Sequence, residues 1–298
     1  MSAGPLSGPQ IRTDRLGRRR AVNRVMELLA WLAAAIAVSI LGVVVWSVAK
    51  RGAGELNLDL LTKTPVQFSL VPVKQGLANA FAGTIVIVAL ATLMALPVGI
   101  LVAIYLNEFA GPSVRSAVSL ALDVLNGIPS IVIGIFVFGL LVFGHKQSGI
   151  YGAFALAILM LPLVARSTME VLALVPDSLR EASLGLGVPR WRTTLSIVLP
   201  QTIGGIVTGT TLAVARIAGE TAPLLFTSSI VGNQVSWDPH HALQTVPVAI
   251  FELSESPDPA DHARAWAAAL VLLLFILFAS LGARWLATRN QRKLKSAR

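Results

Sequence analysis

Long apolar runs alternate with short polar stretches along this chain, and the run lengths predict its class. Six runs, at about 28–48, 80–105, 124–143, 150–165, 200–225 and 265–281, approach or exceed the length that crosses a hydrocarbon core. That crossing takes about 20 apolar residues at roughly 1.5 Å of rise each. No charge lies between Glu27 and Lys50 or between Lys74 and Glu108. The fourth run is closed by Arg166, the fifth carries Arg216 and Glu220, and the sixth ends before Arg284. Backbone groups in lipid must be satisfied within the segment, which suits helices. The runs are too long and too continuously apolar for the alternating strands of a barrel. Pro97, Pro129 and Pro162 fall within or near the edges of these runs, where each removes a helical donor and can kink the helix. The first run exceeds a signal-peptide core, lacks an Ala-x-Ala cleavage pattern and follows a basic tail, so it is expected to be a retained span. The predicted fold class is an all-α polytopic membrane protein with six transmembrane helices.

Composition agrees. The 298 residues are 55% hydrophobic and 13% charged, and that charged fraction is close to half of the ~25% usual in soluble domains. Cysteine is absent, which excludes disulfides, thiolate chemistry and cysteine-ligated metals. A net charge of +9 would suggest nucleic acid on a soluble protein, but its distribution argues otherwise. With both termini in the cytoplasm, seventeen Lys and Arg side chains fall inside and six outside, with Arg216 left in the membrane. The inside set comprises the arms around Arg12–Arg24 and Arg284–Arg298 together with Arg115, Arg166, Arg180, Arg190 and Arg192. This bias predicts a multi-pass plasma-membrane protein with cytoplasmic termini. Basic arms are attracted to an anionic leaflet, and nothing organises them for base contacts, so no nucleic-acid partner is expected.

The expected organisation is a basic tail at 1–25, a first span with its outer segment at 26–76, a core at 77–281 and a second basic tail at 282–298. The outer stretch 231–264 is long enough for a short re-entrant or surface helix, and its piece 244–251 is apolar enough to lie against the membrane.

The cytoplasmic loop 166–199 is the most informative polar region. Asp177 or Ser178 can cap a helix with Glu181 in its first turn. Gly185 and Gly187 permit a turn or close backbone approach, and Pro189 starts a second helical piece. Two small amphipathic helices at the membrane surface are expected, presenting a knob to a cytoplasmic partner.

Glu181-Ala182-Ser183, then Gly187 after three residues, then Ile197, Leu199 and Pro200, resembles the EAA loop of ABC-importer membrane subunits. Ser183 stands where that pattern has a second Ala. The resemblance implies a type I ABC importer permease core in which Glu181, Ala182, Gly187, Leu199 and Pro200 belong to the coupling contact with an ATPase. Further motifs narrow it: Gly83-Thr84, Tyr105-Leu-Asn-Glu108, Gly127-Ile-Pro-Ser130, the stretch 175–182, and Ala215-Arg-Ile-Ala-Gly-Glu-Thr-Ala-Pro-Leu224. Over about 77–251 these look like the phosphate-importer permeases, and more like the PstA type than its PstC partner. Such membership implies an inner-membrane subunit working with a PstC-like permease, two PstB-like ATPases that use ATP-Mg, and a PstS-like phosphate-binding protein. It implies no cofactor on this chain. Permeases for sulfate or molybdate share the architecture and form the alternative.

Arg216 and Glu220 stand four apart in a predicted span, so they are expected to share a helical face and can pair. A charge at that depth normally faces the bundle interior or a wet path. Three roles fit: a self-neutralising structural pair, an Arg216 that snorkels to an interface, or an anion path with Glu220 moderating the grip. The third is favoured, because guanidinium offers a fixed fork of donors to an oxyanion and stays charged. Arg166 reads as an ordinary anchor at the end of the fourth span; the family resemblance adds a position lining the inward exit. Gly127 and Pro129 read as a kink with close helix packing, beside Ser130. Thr208, Thr210 and Thr211 can offer hydroxyls or bond to their own helix and are left out of the site. His145, His240, His241 and His262 scatter over outer regions and read as surface residues, not metal ligands. No Gly-x-x-x-x-Gly-Lys-Ser/Thr loop is present, since Gly139–Lys146 lacks the spacing, so no ATPase activity is expected of the chain alone. An ion-gradient transporter would favour more intramembrane carboxylates than Glu220.

Overall fold

The computed structural model describes residues 14–65, 75–229, 232 and 234–296. Parts of the expected tails (1–13 and 297–298) and of the outer segments (66–74, 230–231 and 233) lie outside the described residues. Among the described residues the structure is helical, with no strand. In order, the helices are α1 (Asp14–Gly52), α2 (Leu58–Thr62), α3 (Ala78–Ile104), α4 (Pro112–Gly127), α5 (Ser130–Val137), α6 (Gly149–Ala173), α7 (Asp177–Gly185), α8 (Arg190–Thr193), α9 (Leu199–Ala218), α10 (Ala222–Thr227), α11 (Val246–Glu255) and α12 (Pro259–Ser296). π-helical turns continue α3 (Tyr105–Phe109), continue α5 (Phe138–Val142) and join α8 to α9 (Thr194–Val198).

Two units divide the chain, residues 1–50 and 51–298. In the first, α1 carries exposed Leu28, Trp31, Leu32, Ile36, Ile40 and Trp46 along its length. An all-round apolar surface suits lipid and not water. Five helical stretches are long and apolar enough to cross a membrane, and the pair 112–127 and 130–142 makes a sixth if it counts as one span.

That pair sharpens the kink expected at Pro129 within the run 124–143, because its halves meet at 94°. The cause is local. Pro129 disfavours helical backbone at the residue before it. Ile128 and Pro129 are both extended, with ψ of 130° and 133°. Each side is closed separately, Ile128 N–H donating to Leu125 O and Val132 N–H to Pro129 O. Pro97 and Pro162, by contrast, sit inside unbroken helices.

The core of the second unit forms where α3, α6 and α9 pack through small residues. A Cβ on Gly99 of α3 would stand 2.9 Å from Val164 Cγ1 of α6, and Ala91, Ala95, Ala153 and Ala157 share that buried cluster. On α9, Cβ atoms at Gly205 and Gly209 would lie 2.5 Å and 2.6 Å from side-chain atoms of Val171 and Ser167 on α6. This four-residue spacing of small side chains lets membrane helices approach closely where apolar surface alone supplies little drive. The descending partners show that α9 runs antiparallel to α6.

Where α3 and α6 begin, the segment expected as a short re-entrant or surface helix is folded into the unit. Val246, Pro247, Val248 and Ala249 of α11 are buried, in clusters shared with α3, α6 and α12. Thr84 Oγ1 accepts the Val246 N–H at 2.8 Å and donates to Ala80 O. A Cβ on Gly83 would meet Gln244 O at 2.1 Å, so only glycine admits that backbone. Asn79 Nδ2 donates to Gln244 Oε1 at 3.0 Å, and Gln244 Nε2 donates to Glu252 Oε2 at 2.6 Å.

Burial raises the pKa of Glu252, while the Gln244 amide partly opposes the shift. A carboxyl with a raised folded-state pKa holds its proton more tightly when folded. Its contribution is therefore complete below the ordinary value near 4.5 and is lost as pH rises through the raised value. Glu252→Gln keeps an acceptor for Gln244 without a charge to desolvate. Its melting temperature in detergent is expected to exceed wild type near neutral pH, with the gap closing toward pH 4.5. A pH-independent gap would assign the effect to packing.

Candidate functional site

Two features carry the chemistry, a cavity at half height of the helical unit and an exposed element at the end where α3 and α6 finish. The cavity, about 200 Å³, is lined by Leu125, Asn126, Ile128, Pro129 and Ser130 at the bend, Leu159 and Leu163 of α6, and Arg216, Ile217 and Glu220. Leu159 and Leu163 fall in the middle of α6, which fixes the height of Arg216. α9 stops here, with Ala218 its last helical residue and Gly219 its cap.

Glu220 therefore lies beyond the helix, not one turn along it, and the expectation that Arg216 and Glu220 share a helical face is corrected. The closing turn tightens, with Gly219 N–H donating to Arg216 O and Glu220 N–H to Ile217 O. Both side chains still line one cavity, but among the described residues Arg216 makes no ion pair. Thr208 and Thr211 donate to Gly204 O and Val207 O of their own helix.

The bend supplies the opposite wall. Ser130 opens α5, so that helix presents its amino end and partial positive charge to the cavity. Pro223 of α10 would stand 2.6 Å from a Cβ on Gly134 of α5, which brings these two helices together just past Glu220. Gly127 closes α4, but a Cβ there would meet nothing within 4 Å. It contributes to the bend and not to the close packing expected of it.

Arg166 lies elsewhere. α6 continues past it to Ala173, so it is not at a helix end. Its Nη2 donates to Ser119 O at 2.6 Å and pairs with Asp123 Oδ1 at 2.5 Å, bracing α4 against α6. With its charge paired there, it is not among the residues that line this cavity.

The second feature is α7. Pro176 precedes it, and neither Asp177 nor Ser178 caps it; Asp177 pairs with Arg180 at 3.0 Å instead. The carboxyl end forms a Schellman turn. Val188 N–H donates to Ser183 O, Gly187 N–H donates to Leu184 O, and Gly187 has φ +78°. Glu181, Ala182, Leu184, Leu186 and Gly187 are exposed, which makes the knob. Ser183 is the inward residue, its Oγ 2.9 Å from Thr193 Oγ1 of α8.

The second expected small helix is not separate. α8 runs through the π turn into α9 as one stretch, Arg190–Ala218. Leu199 N–H reaches back to Thr194 O, and Pro200 has no N–H for an α-type bond to Ser196. Leu199 and Pro200 thus sit at the root of α9, behind the knob.

One residue entered the sequence reading only as part of the Tyr105–Glu108 motif, with no role of its own. Glu108, in the π turn that ends α3, is 8% exposed at its side chain and pairs with Arg180 at 3.0 Å. The only signal was a polar Asn-Glu pair closing a long apolar run.

Comparison with known proteins places this geometry. Residues 95–292 match the family described as binding-protein-dependent transport system inner membrane component. The chain belongs to that family. This binding-protein-dependent permease is 40% identical over 280 residues to the phosphate transport system permease protein PstA of Xylella fastidiosa, covering 92% of this chain and 95% of that protein. It is 37% identical over 289 residues to the phosphate transport system permease protein PstA 1 of Mycobacterium tuberculosis, covering 92% and 91%. Its fold resembles a chain in the crystal structure of a bacterial alginate ABC transporter bound to its periplasmic protein. The TM-score is 0.63 at 15% identity, covering 91% of this permease and 96% of that chain.

Proposed function

We propose that this permease subunit forms half of the path of an ATP-driven inorganic phosphate importer. The observation that carries the reading is Arg216: a guanidinium at half height, without an acidic partner among the described residues, facing the amino end of α5. Phosphate offers several acceptor oxygens to a fixed fork of donors. Glu220 across the same cavity opposes prolonged retention of an anion. The names of the PstA relatives support phosphate as the substrate.

In this reading both termini and α7 face the cytoplasm, following the excess of arginine on that side. A soluble phosphate-binding protein delivers substrate from outside, a second, PstC-like permease completes the path, and two PstB-like ATPases hydrolyse ATP-Mg beneath α7. This chain holds no cofactor of its own. The ATPases shift access because ATP favours one of two transporter states.

The test is the ATPase activity of the reconstituted complex with its binding protein. Phosphate is expected to stimulate hydrolysis, with sulfate and molybdate near background. Stimulation by either of those ions in place of phosphate would overturn the substrate assignment.

A further inference from the structure

Arg180 uses all five of its donors. Nε donates to Glu108 Oε2 at 3.2 Å, and Nη2 donates to Glu108 Oε1 and Leu172 O, both at 3.0 Å. Nη1 donates to Val175 O at 2.6 Å and Asp177 Oδ1 at 3.0 Å. A guanidinium has five N–H groups, so none is left over. The acceptors belong to three segments: the π turn ending α3, the last turn of α6 with its connector, and the first turn of α7. The side chain is only 16% exposed and its main partner 8%.

The two ends of α7 are therefore held very differently. Its beginning is locked to α3 and α6, which are packed together along their length. Its far end reaches α8, and so α9 and Arg216, through one side-chain hydrogen bond, Ser183 to Thr193, besides the connecting chain. Beside the apolar packing of Leu179 against the cluster that α3 and α6 share, this guanidinium is the polar link by which force applied to the knob reaches α3 and α6.

We propose that Arg180 is the positioning residue that makes α7 one rigid piece with α3 and α6, so that ATPase movement displaces that pair against α9 and opens or closes the Arg216 cavity. The inference rests on the importer reading above. Without Arg180, α7 swivels on its connector and ATP is hydrolysed without transport.

The experiment compares Arg180→Lys and Glu108→Gln with wild type in the full reconstituted complex, reading phosphate moved per ATP hydrolysed. Lysine keeps the charge but has one nitrogen and three donors, so it cannot form the fork or span three segments. Arg180→Lys is expected to assemble in the normal subunit ratio and to keep basal hydrolysis within about twofold, while transport per ATP falls on the order of tenfold. Glu108→Gln retains an acceptor and should fall less. An unchanged ratio in both variants overturns the proposal. Should Arg180→Lys fail to assemble, Glu108→Gln decides. A lowered ratio in an intact complex supports the proposal, and a normal ratio assigns Arg180 to stability alone and overturns it. Failure of the substrate reading would show instead in wild type, as absent phosphate transport, and the comparison would then use the oxyanion that wild type does carry.

Discussion

Arg216→Ala is expected to lower phosphate uptake by about a hundredfold or more while the complex assembles in its normal ratio. Two charge-assisted bonds from one guanidinium fork are worth ~1.5–3 kcal/mol each, and each 1.4 kcal/mol is about tenfold. Little structural loss is expected, because Arg216 makes no ion pair among the described residues and borders open space. Arg216→Lys, with the charge but not the fork, should fall between wild type and alanine. Radiolabelled phosphate uptake in proteoliposomes, with subunit ratios measured on the same preparation, checks both. Normal uptake by the alanine variant would remove Arg216 from the path.

Gly187→Trp should release the ATPase from the permease. Gly187 has φ +78°, where an L residue costs about 1–2 kcal/mol, and a Cβ there would meet nothing in this chain within 4 Å. The indole would therefore project from the knob into the space the ATPase is proposed to occupy. Asparagine tolerates this backbone conformation and is small, so Gly187→Asn separates bulk from strain. Co-purified ATPase is expected to fall roughly tenfold or more for tryptophan, as for an obstruction costing more than 1.4 kcal/mol, and to stay near wild type for asparagine. Equal retention by both variants would count against α7 as the docking element.

The legibility of these two sites from sequence differed for a physical reason. Gly187 stood out because a Schellman turn is local: its bonds link residues within five positions, and the glycine is required by backbone sterics alone. Arg216 stood out because a charge in an apolar run is costly wherever the helix lies. Its relation to Glu220 was misread, since a four-residue spacing pairs side chains only while the helix continues, and α9 ends at Ala218. Arg166 was placed at a helix end by its charge, yet Asp123 and Ser119 match that charge from α4 and the helix runs on to Ala173. The bend at Pro129 was visible as a kink, but its 94° angle rests on two successive extended residues.

The sequence by itself determined the helical membrane class, most of the spans, the exposed knob and the depth-sensitive charge, because hydropathy, turn sterics and the cost of buried charge act over a few neighbouring residues. Only the tertiary structure decided that α11 packs inside, that α9 stops at half height, and that Arg180 joins three segments. Glu108 and Arg180 are 72 positions apart, and Asn79 and Gln244 are 165 apart. Pairings at that distance depend on how helices stack through Gly99, Gly205 and Gly209, a complementarity of surfaces that no local pattern encodes.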